Sequence, residues 1–94
     1  MDWVAEVVVR LKPSVLDPQG KTVQQALASL GFDEVAAVRM GKAIHLQLSA
    51  PDRPRAEARV RAMCERLLAN PIIETFQFEL KEVPREASKM TRTG

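Results

Sequence analysis

From residue 3 to residue 11 the chain alternates without interruption. Trp3, Ala5, Val7, Val9 and Leu11 fall on one side, and Val4, Glu6, Val8, Arg10 and Lys12 continue on the other. A period of two marks an extended strand, and a wholly apolar side has to be covered by a second layer. A chain of 94 residues builds one modest core, so this strand is expected near its centre, in a single domain whose stability gains from self-association.

The rest of the pattern says what covers the strand. Residues 11–20 (Leu-Lys-Pro-Ser-Val-Leu-Asp-Pro-Gln-Gly) form a stiff connector: Pro13 and Pro18 fix φ and remove donors, and Gly20 permits backbone that other residues resist. Val23, Ala26, Leu27 and Leu30 then recur at helical spacing, and Gly31 stands where a left-handed C-terminal cap belongs. Residues 34–40 and 43–48 read as two strands separated by a Met40-Gly41-Lys42 turn. Ile44, Leu46 and Leu48 point inward on the second of these, His45 and Gln47 outward.

A second helix starts at Pro51-Asp52-Arg53-Pro54 with Asp52 as its cap. Ala56, Val60, Met63, Cys64, Leu67 and Leu68 form its apolar stripe, and Glu57 lies four residues before Arg61, the favourable order for an ion pair. Asn70-Pro71 ends it, because a residue before proline avoids helical angles. Residues 72–80 give a last strand with Phe76, Phe78 and Leu80 on one face.

Strand, helix, strand, strand, helix, strand is the split βαβ, ferredoxin-like α+β arrangement: a four-stranded antiparallel sheet with both helices on one face. Residues 1–82 form the domain, and 83–94 a polar, flexible C-terminal tail. The uncovered sheet face then carries Val4, Glu6, Val8, Arg10, His45, Gln47, Thr75, Gln77 and Glu79. Exposed β-branched residues are common on strands. A subunit interface across this face or along a sheet edge is nonetheless expected, since a small sheet with open edges needs covering.

Composition excludes more than it assigns. The 14 basic and 12 acidic residues nearly cancel, and no Lys/Arg run marks a nucleic-acid patch. The arginines from Arg53 to Arg66 alternate with Glu57 and Glu65 and read as a solvated helix face. Cys64 is the lone cysteine and sits in the apolar stripe, as a small buried hydrophobe in a reducing, cytoplasmic setting. His45 is the lone histidine, with no second ligand at metal spacing. No Gly-rich phosphate loop, no triad and no aromatic-rich RNA motif appears. No segment is apolar for long enough to span a bilayer, and the strand-like alternation from residue 3 leads us to expect no secretory leader.

Several segments together resemble one family. These are Val7-Val8-Val9-Arg10 running into the connector at 11–20, Ala26-Leu27 leading to Leu30-Gly31-Phe32, Val38-Arg39-Met40-Gly41-Lys42, and residues 63–74 from Met63-Cys64-Glu65-Arg66 to Asn70-Pro71-Ile72-Ile73-Glu74. In this order and spacing the chain resembles the PurS family, the small subunit of phosphoribosylformylglycinamidine synthase in purine biosynthesis. The resemblance implies a non-catalytic accessory subunit of an ATP-dependent amidoligase. It would bridge a large synthetase subunit, which holds ATP and magnesium, and a glutaminase subunit, and would assist ammonia transfer between them. That role agrees with the oligomer-prone sheet, and a homodimer or homotetramer is expected, with no cofactor, nucleic acid or membrane bound by this chain.

No catalytic residue carries over. Motif positions carry over as candidate partner contacts: Lys12, Asp17 and Gln19 on the connector, Arg39 and Lys42 flanking Gly41, and Asn70 and Glu74 at the helix-to-strand corner. Each also has a plainer role: Asp17 as a helix cap, Arg39 and Lys42 as solvated turn charges, Asn70 as a helix terminator. Two other classes share the topology. One is an ACT-like domain that senses small molecules at a dimer interface, for which the connector lacks a glycine-containing ligand loop. The other is an acylphosphatase-like enzyme, for which it lacks a Gly-rich anion nest.

Overall fold

The computed structural model describes residues 1–84. In chain order these form β1 (Asp2–Leu11), α1 (Pro18–Ser29), β2 (Gly41–Ser49), α2 (Arg53–Met63) with a π-helical turn (Cys64–Leu68) continuing it, and β3 (Glu74–Val83). The alternating first strand is central, as its apolar face demands: the sheet order is β2-β1-β3, antiparallel throughout. Ala5 stands opposite Leu46 on one side and Leu80 on the other, and Val7 opposite Ile44 and Phe78. Partners in a ladder share a face, so these rows form the inner layer.

The core is Trp3, Ala5, Val7, Val9 and Leu80 from the sheet against Ala56, Val60, Cys64 and Ala69 from α2 and its π-turn, closed by Ala50. Trp3 buries its ring and donates its indole N–H to the Ala50 carbonyl at 3.2 Å. Two arginines expected to be merely solvated work at this seam. The Arg53 guanidinium lies 5.2 Å from the Trp3 ring centre and donates to the Leu80 carbonyl, and that of Arg61 lies 5.3 Å from Phe78. Arg61 thus rests on an aromatic ring, and among the described residues it forms no ion pair with Glu57.

Both helix starts follow from their caps. Asp52 Oδ1 accepts from the Arg55 N–H at 2.9 Å, and Asp17 Oδ1 from the Gly20 N–H at 2.8 Å. At the end of α1, Gly31 has φ of +96°, its N–H reaches the Ala28 carbonyl and the Phe32 N–H reaches that of Leu27. That double bond pattern is a Schellman cap, and it requires the left-handed angle that glycine supplies.

Two expectations are corrected. Residues 34–40 form no strand, so the sheet has three strands where four were expected. Side chains engage this segment first. Gln24 Nε2 donates to the carbonyls of Val35 and Ala36, and Asp17 Oδ2 accepts the Met40 N–H, so these backbone groups already have partners without a ladder. Gly41 accordingly makes no hairpin turn. It is the first residue of β2, paired with Arg10, where an added Cβ would lie 2.6 Å from the Val9 carbonyl oxygen.

The second correction concerns the stripe of α2. Beyond Met63 the helix widens, and the Ala69 N–H bonds to Cys64, five residues back. The extra residue per turn rotates the stripe, so Ala69 takes the inward position and Leu67 is 82% exposed. On the uncovered sheet face Glu6, Arg10, His45, Gln47, Thr75, Gln77 and Glu79 are exposed, and Val4 and Val8 half-buried, as expected. Val83 still pairs, opposite Asp2. The rest of the tail expected over 83–94, from residue 85 on, lies outside the described residues.

Candidate partner-docking site

The candidate contacts, far apart in sequence, gather at one end of the sheet. They are tied there largely through backbone bonds. β1 ends at Leu11, opposite Glu74, and the next residue carries the ladder one step further: the Lys12 N–H donates to the Ile73 carbonyl at 2.8 Å. This joins the connector to the corner after the π-turn.

That corner is a closed hydrogen-bonded loop. The Asn70 N–H donates to Glu74 Oε1 at 2.7 Å, Asn70 Oδ1 accepts from the Ile72 N–H at 3.0 Å, and the Asn70 carbonyl accepts from both Ile73 and Glu74. Asn70 is therefore an Asx-turn residue, which accounts for it in structural terms. Glu74, half-buried, spends one carboxylate oxygen on the same turn.

On the other side the connector is tied to the loop before β2. Arg39 Nη2 donates to the Lys12 carbonyl at 2.9 Å, and the Val15 N–H folds onto that same carbonyl. Asp17 makes the deepest link. One carboxylate oxygen caps α1 at Gly20, and the other accepts the Met40 N–H at 2.6 Å. These two donors, with lesser help from the Arg39 charge, hold its carboxyl below the ordinary aspartate range. Gly20 is the one buried residue of α1, and a Cβ there would lie 2.2 Å from the Val38 carbonyl oxygen. Glycine is needed for this close approach of two backbones.

Lys12, Asp17, Arg39, Asn70 and Glu74 thus belong to one connected surface. Gln19 stands exposed in the first turn of α1 beside the Asp17 cap. Lys42 lies further along β2, opposite Val9, on the inner rather than the outer face. Next to this surface is a cleft of about 770 Å³ lined by Val8, Arg10, Leu11, Pro13 and residues 39–43. Val8, Leu11, Pro13, Met40 and Ala43 give it apolar lining, its charged lining is Arg10, Arg39 and Lys42, and no acidic residue lines it. Arg10 is a member that sequence reasoning passed over. Its place on an alternating strand gave no sign that the loop before β2 would close beside it.

Among the described residues no group of three or more acidic, His or Cys side chains is placed to hold a metal ion. No helix there is long and apolar enough to cross a membrane. Cys64 is fully buried, and burial pushes its thiol up from the ordinary value, away from a nucleophile's behaviour.

Fold and site together describe a small α+β domain whose polar features serve to hold loops in place and present them. Comparison with known proteins makes the class specific. Residues 4–82 match the family model PurS, described as phosphoribosylformylglycinamidine (FGAM) synthase. The PurS subunit of that synthase from Synechocystis is 50% identical over 74 residues, covering 79% of this chain and 74% of the relative. Among solved structures, Bacillus subtilis PurS superposes with a TM-score of 0.78 at 46% identity, over 85% of this chain and 99% of that one. A chain of the PurLQS structure from Thermotoga maritima superposes with 0.79 at 30% identity, over 86% and 99%. The chain belongs to the PurS family.

Proposed function

We propose that this protein is the non-catalytic small subunit of phosphoribosylformylglycinamidine synthase in purine biosynthesis. In this reading it joins the large synthetase subunit to the glutaminase subunit and assists the passage of ammonia between them. ATP and magnesium belong to the large subunit. The chain itself works as a homodimer or homotetramer in the cytoplasm, without nucleic acid or membrane.

The observation that carries this reading is the family match across residues 4–82, joined to a structural mate found in a PurLQS assembly. The sheet-end surface supports it in kind. Lys12, Asp17, Gln19, Arg39, Asn70 and Glu74 sit on segments pinned by hydrogen bonds, so their exposed atoms meet a partner at little further entropic cost. Of these, Arg39 and the neighbouring Lys42 offer charge that neither a cap nor a turn consumes, and they are the contacts assigned to the partner subunits. Asp17 and Asn70 act one step back, by shaping the loops.

The test is reversal of both charges, Arg39→Glu with Lys42→Glu, followed by co-elution with the large and glutaminase subunits in the presence of glutamine and ADP. Loss of co-elution and of glutamine-dependent activity, with ammonia-dependent activity of the large subunit retained, is the expected result. Unchanged assembly and activity would reject the contact role of these residues.

A further inference from the structure

The cleft beside the connector carries a charge that its own lining does not balance. Over the whole sequence 14 basic and 12 acidic residues nearly cancel, yet Arg10, Arg39 and Lys42 line about 770 Å³ with no acidic residue among them. None of the three forms an ion pair among the described residues. The Asp17 carboxylate feels the Arg39 charge, but both of its oxygens are committed to the Met40 and Gly20 N–H groups. Arg39 gives Nη2 to the Lys12 carbonyl, which leaves most of its five N–H donors for another acceptor. Three like charges around one hollow repel one another, and an anion there relieves that repulsion.

The placement of the three also sets the size of the anion. Arg10 stands opposite Gly41 and Lys42 opposite Val9, one step apart in register and therefore on opposite faces of the sheet. Arg39 lies in the loop before β2. A compact anion wants donors that converge on one point inside a concave site, whereas these are exposed and splayed. An occupant that meets both Arg10 and Lys42 has to run round the corner of the sheet where β2 starts. About five residues of extended chain, roughly 17 Å, suffice for that path. Leu11, Pro13 and Met40 in the same lining offer it apolar contact.

The walls are fixed before an occupant arrives. Asp17 holds the loop through the Met40 N–H at 2.6 Å, Arg39 holds it to Lys12, and the Lys12 N–H holds the connector to Ile73 at 2.8 Å. Beyond Val8 the sign of the surface reverses, since Glu6 and Glu79 line the adjoining hollow. An acidic segment is thereby kept to the Arg10 side, and its register is set by repulsion as well as attraction. Residues 85–94 of the chain do not match the cleft in charge: Arg85, Lys89 and Arg92 outnumber Glu86. β3 also leads to them from the other end of the sheet, where Val83 pairs with Asp2.

We infer that this cleft holds an acidic, partly apolar segment of a partner subunit, extended from Arg10 past Arg39 to Lys42. The inference rests on the accessory-subunit reading above and gives the chemistry of that contact: carboxylates of the large or the glutaminase subunit on three cations, with Arg10 joining Arg39 and Lys42.

Carbodiimide coupling in the assembled complex tests it, because this reagent joins an amine directly to a carboxylate that touches it. The full chain is combined with the large and glutaminase subunits in the presence of glutamine and ADP, coupled, digested and read by mass spectrometry. Arg10→Lys is run beside the native chain, so that the other end of the cleft also carries an amine. The expected result is that Lys42 in the native chain, and position 10 in the variant, are joined to Asp or Glu side chains of one short segment in a partner subunit. In parallel, Arg10→Glu should slow association with the partner subunits about tenfold at low ionic strength and weaken its salt dependence. Arg59→Glu, the same change of charge on the exposed face of α2, should alter association by no more than about twofold, being screened from the cleft. Circular dichroism shows that both variants are folded. Assembly in which Lys42 couples to no partner carboxylate, or in which Arg10→Glu associates as fast as the native chain, overturns the acidic segment and leaves the accessory role standing. Coupling to Glu6 or Glu79 of a second copy overturns it as well, and so does tight, saturable binding of inorganic phosphate that Arg10→Glu abolishes, which assigns the cleft to a small anion. Failure of the native chain to assemble with either subunit overturns both.

Discussion

The Asp17 carboxylate bonds the Met40 N–H at 2.6 Å across 23 positions of sequence. With its other oxygen on the Gly20 N–H, this one side chain ties the start of α1 to the start of β2. Everything between, the whole helix and the loop that replaces a fourth strand, is thereby closed at its base. A residue that reads as an ordinary helix cap is the keystone of a long excursion of the chain.

This link should show in the acid limb of stability. The folded pKa of Asp17 lies below the unfolded one, so its stabilisation is complete above the ordinary aspartate range. It is lost as pH falls through the folded value. Asp17→Asn is expected to lower Tm at neutral pH and to flatten the decline of Tm in acid. Thermal melts from pH 7 downward check it; parallel curves for the two proteins would remove Asp17 from this role.

Two glycines should respond differently to alanine. At Gly20 the new methyl meets the Val38 carbonyl oxygen at 2.2 Å, and backbone on both sides has to move, at a cost of about 3 kcal/mol or more. At Gly31 nothing lies within 4 Å. Only the left-handed angle is strained, costing roughly 1 kcal/mol. Urea denaturation of both variants is the measurement, and equal losses would contradict the close approach at Gly20.

The π-turn makes a contrast along α2. Val60 is wholly buried, and Val60→Ala should cost about 2 kcal/mol. Leu67, though it falls on the same stripe in a regular helix, is 82% exposed, so Leu67→Ala should stay within about 0.5 kcal/mol. A large loss at Leu67 in the isolated chain would mean that the helix runs regularly past Met63.

Cys64 should be inert while the chain is folded. Its thiol is buried and its ionisation disfavoured by that burial. A chromogenic disulfide reagent at mildly alkaline pH is expected to label it only after denaturant is added; immediate labelling in buffer would contradict this burial.

Much of the fold was legible because short-range periodicity is a direct trace of a buried face. The alternation of Trp3, Ala5, Val7 and Val9 names the central strand, the spacing of Ala56, Val60 and Cys64 names the covering helix, and Asp17 and Asp52 name the helix starts. The missing strand was not legible. Val35, Ala37 and Arg39 alternate with Ala36, Val38 and Met40 whether or not a neighbour offers a ladder. What decided the matter was the reach of Gln24 and Asp17 to that backbone, which depends on where α1 lies. The turn of Leu67 to solvent was hidden for a similar reason, since one added residue per turn leaves no mark in composition.

The candidate site divides the same way. All of its members but Arg10 can be picked from a motif, but their gathering cannot, because the bonds that assemble them run through backbone groups with no sequence identity: Lys12 to Ile73, Arg39 to Lys12, Met40 to Asp17. By itself the sequence determined the family, the central strand, both helices and the absence of a recognisable catalytic motif, since these rest on local pattern. Tertiary structure alone decided that the sheet has three strands, that the scattered polar residues share one end of it, and that the stripe of α1 finds no place in its own core. Those depend on distances between segments, which hydrogen bonding and packing settle only once the chain is folded.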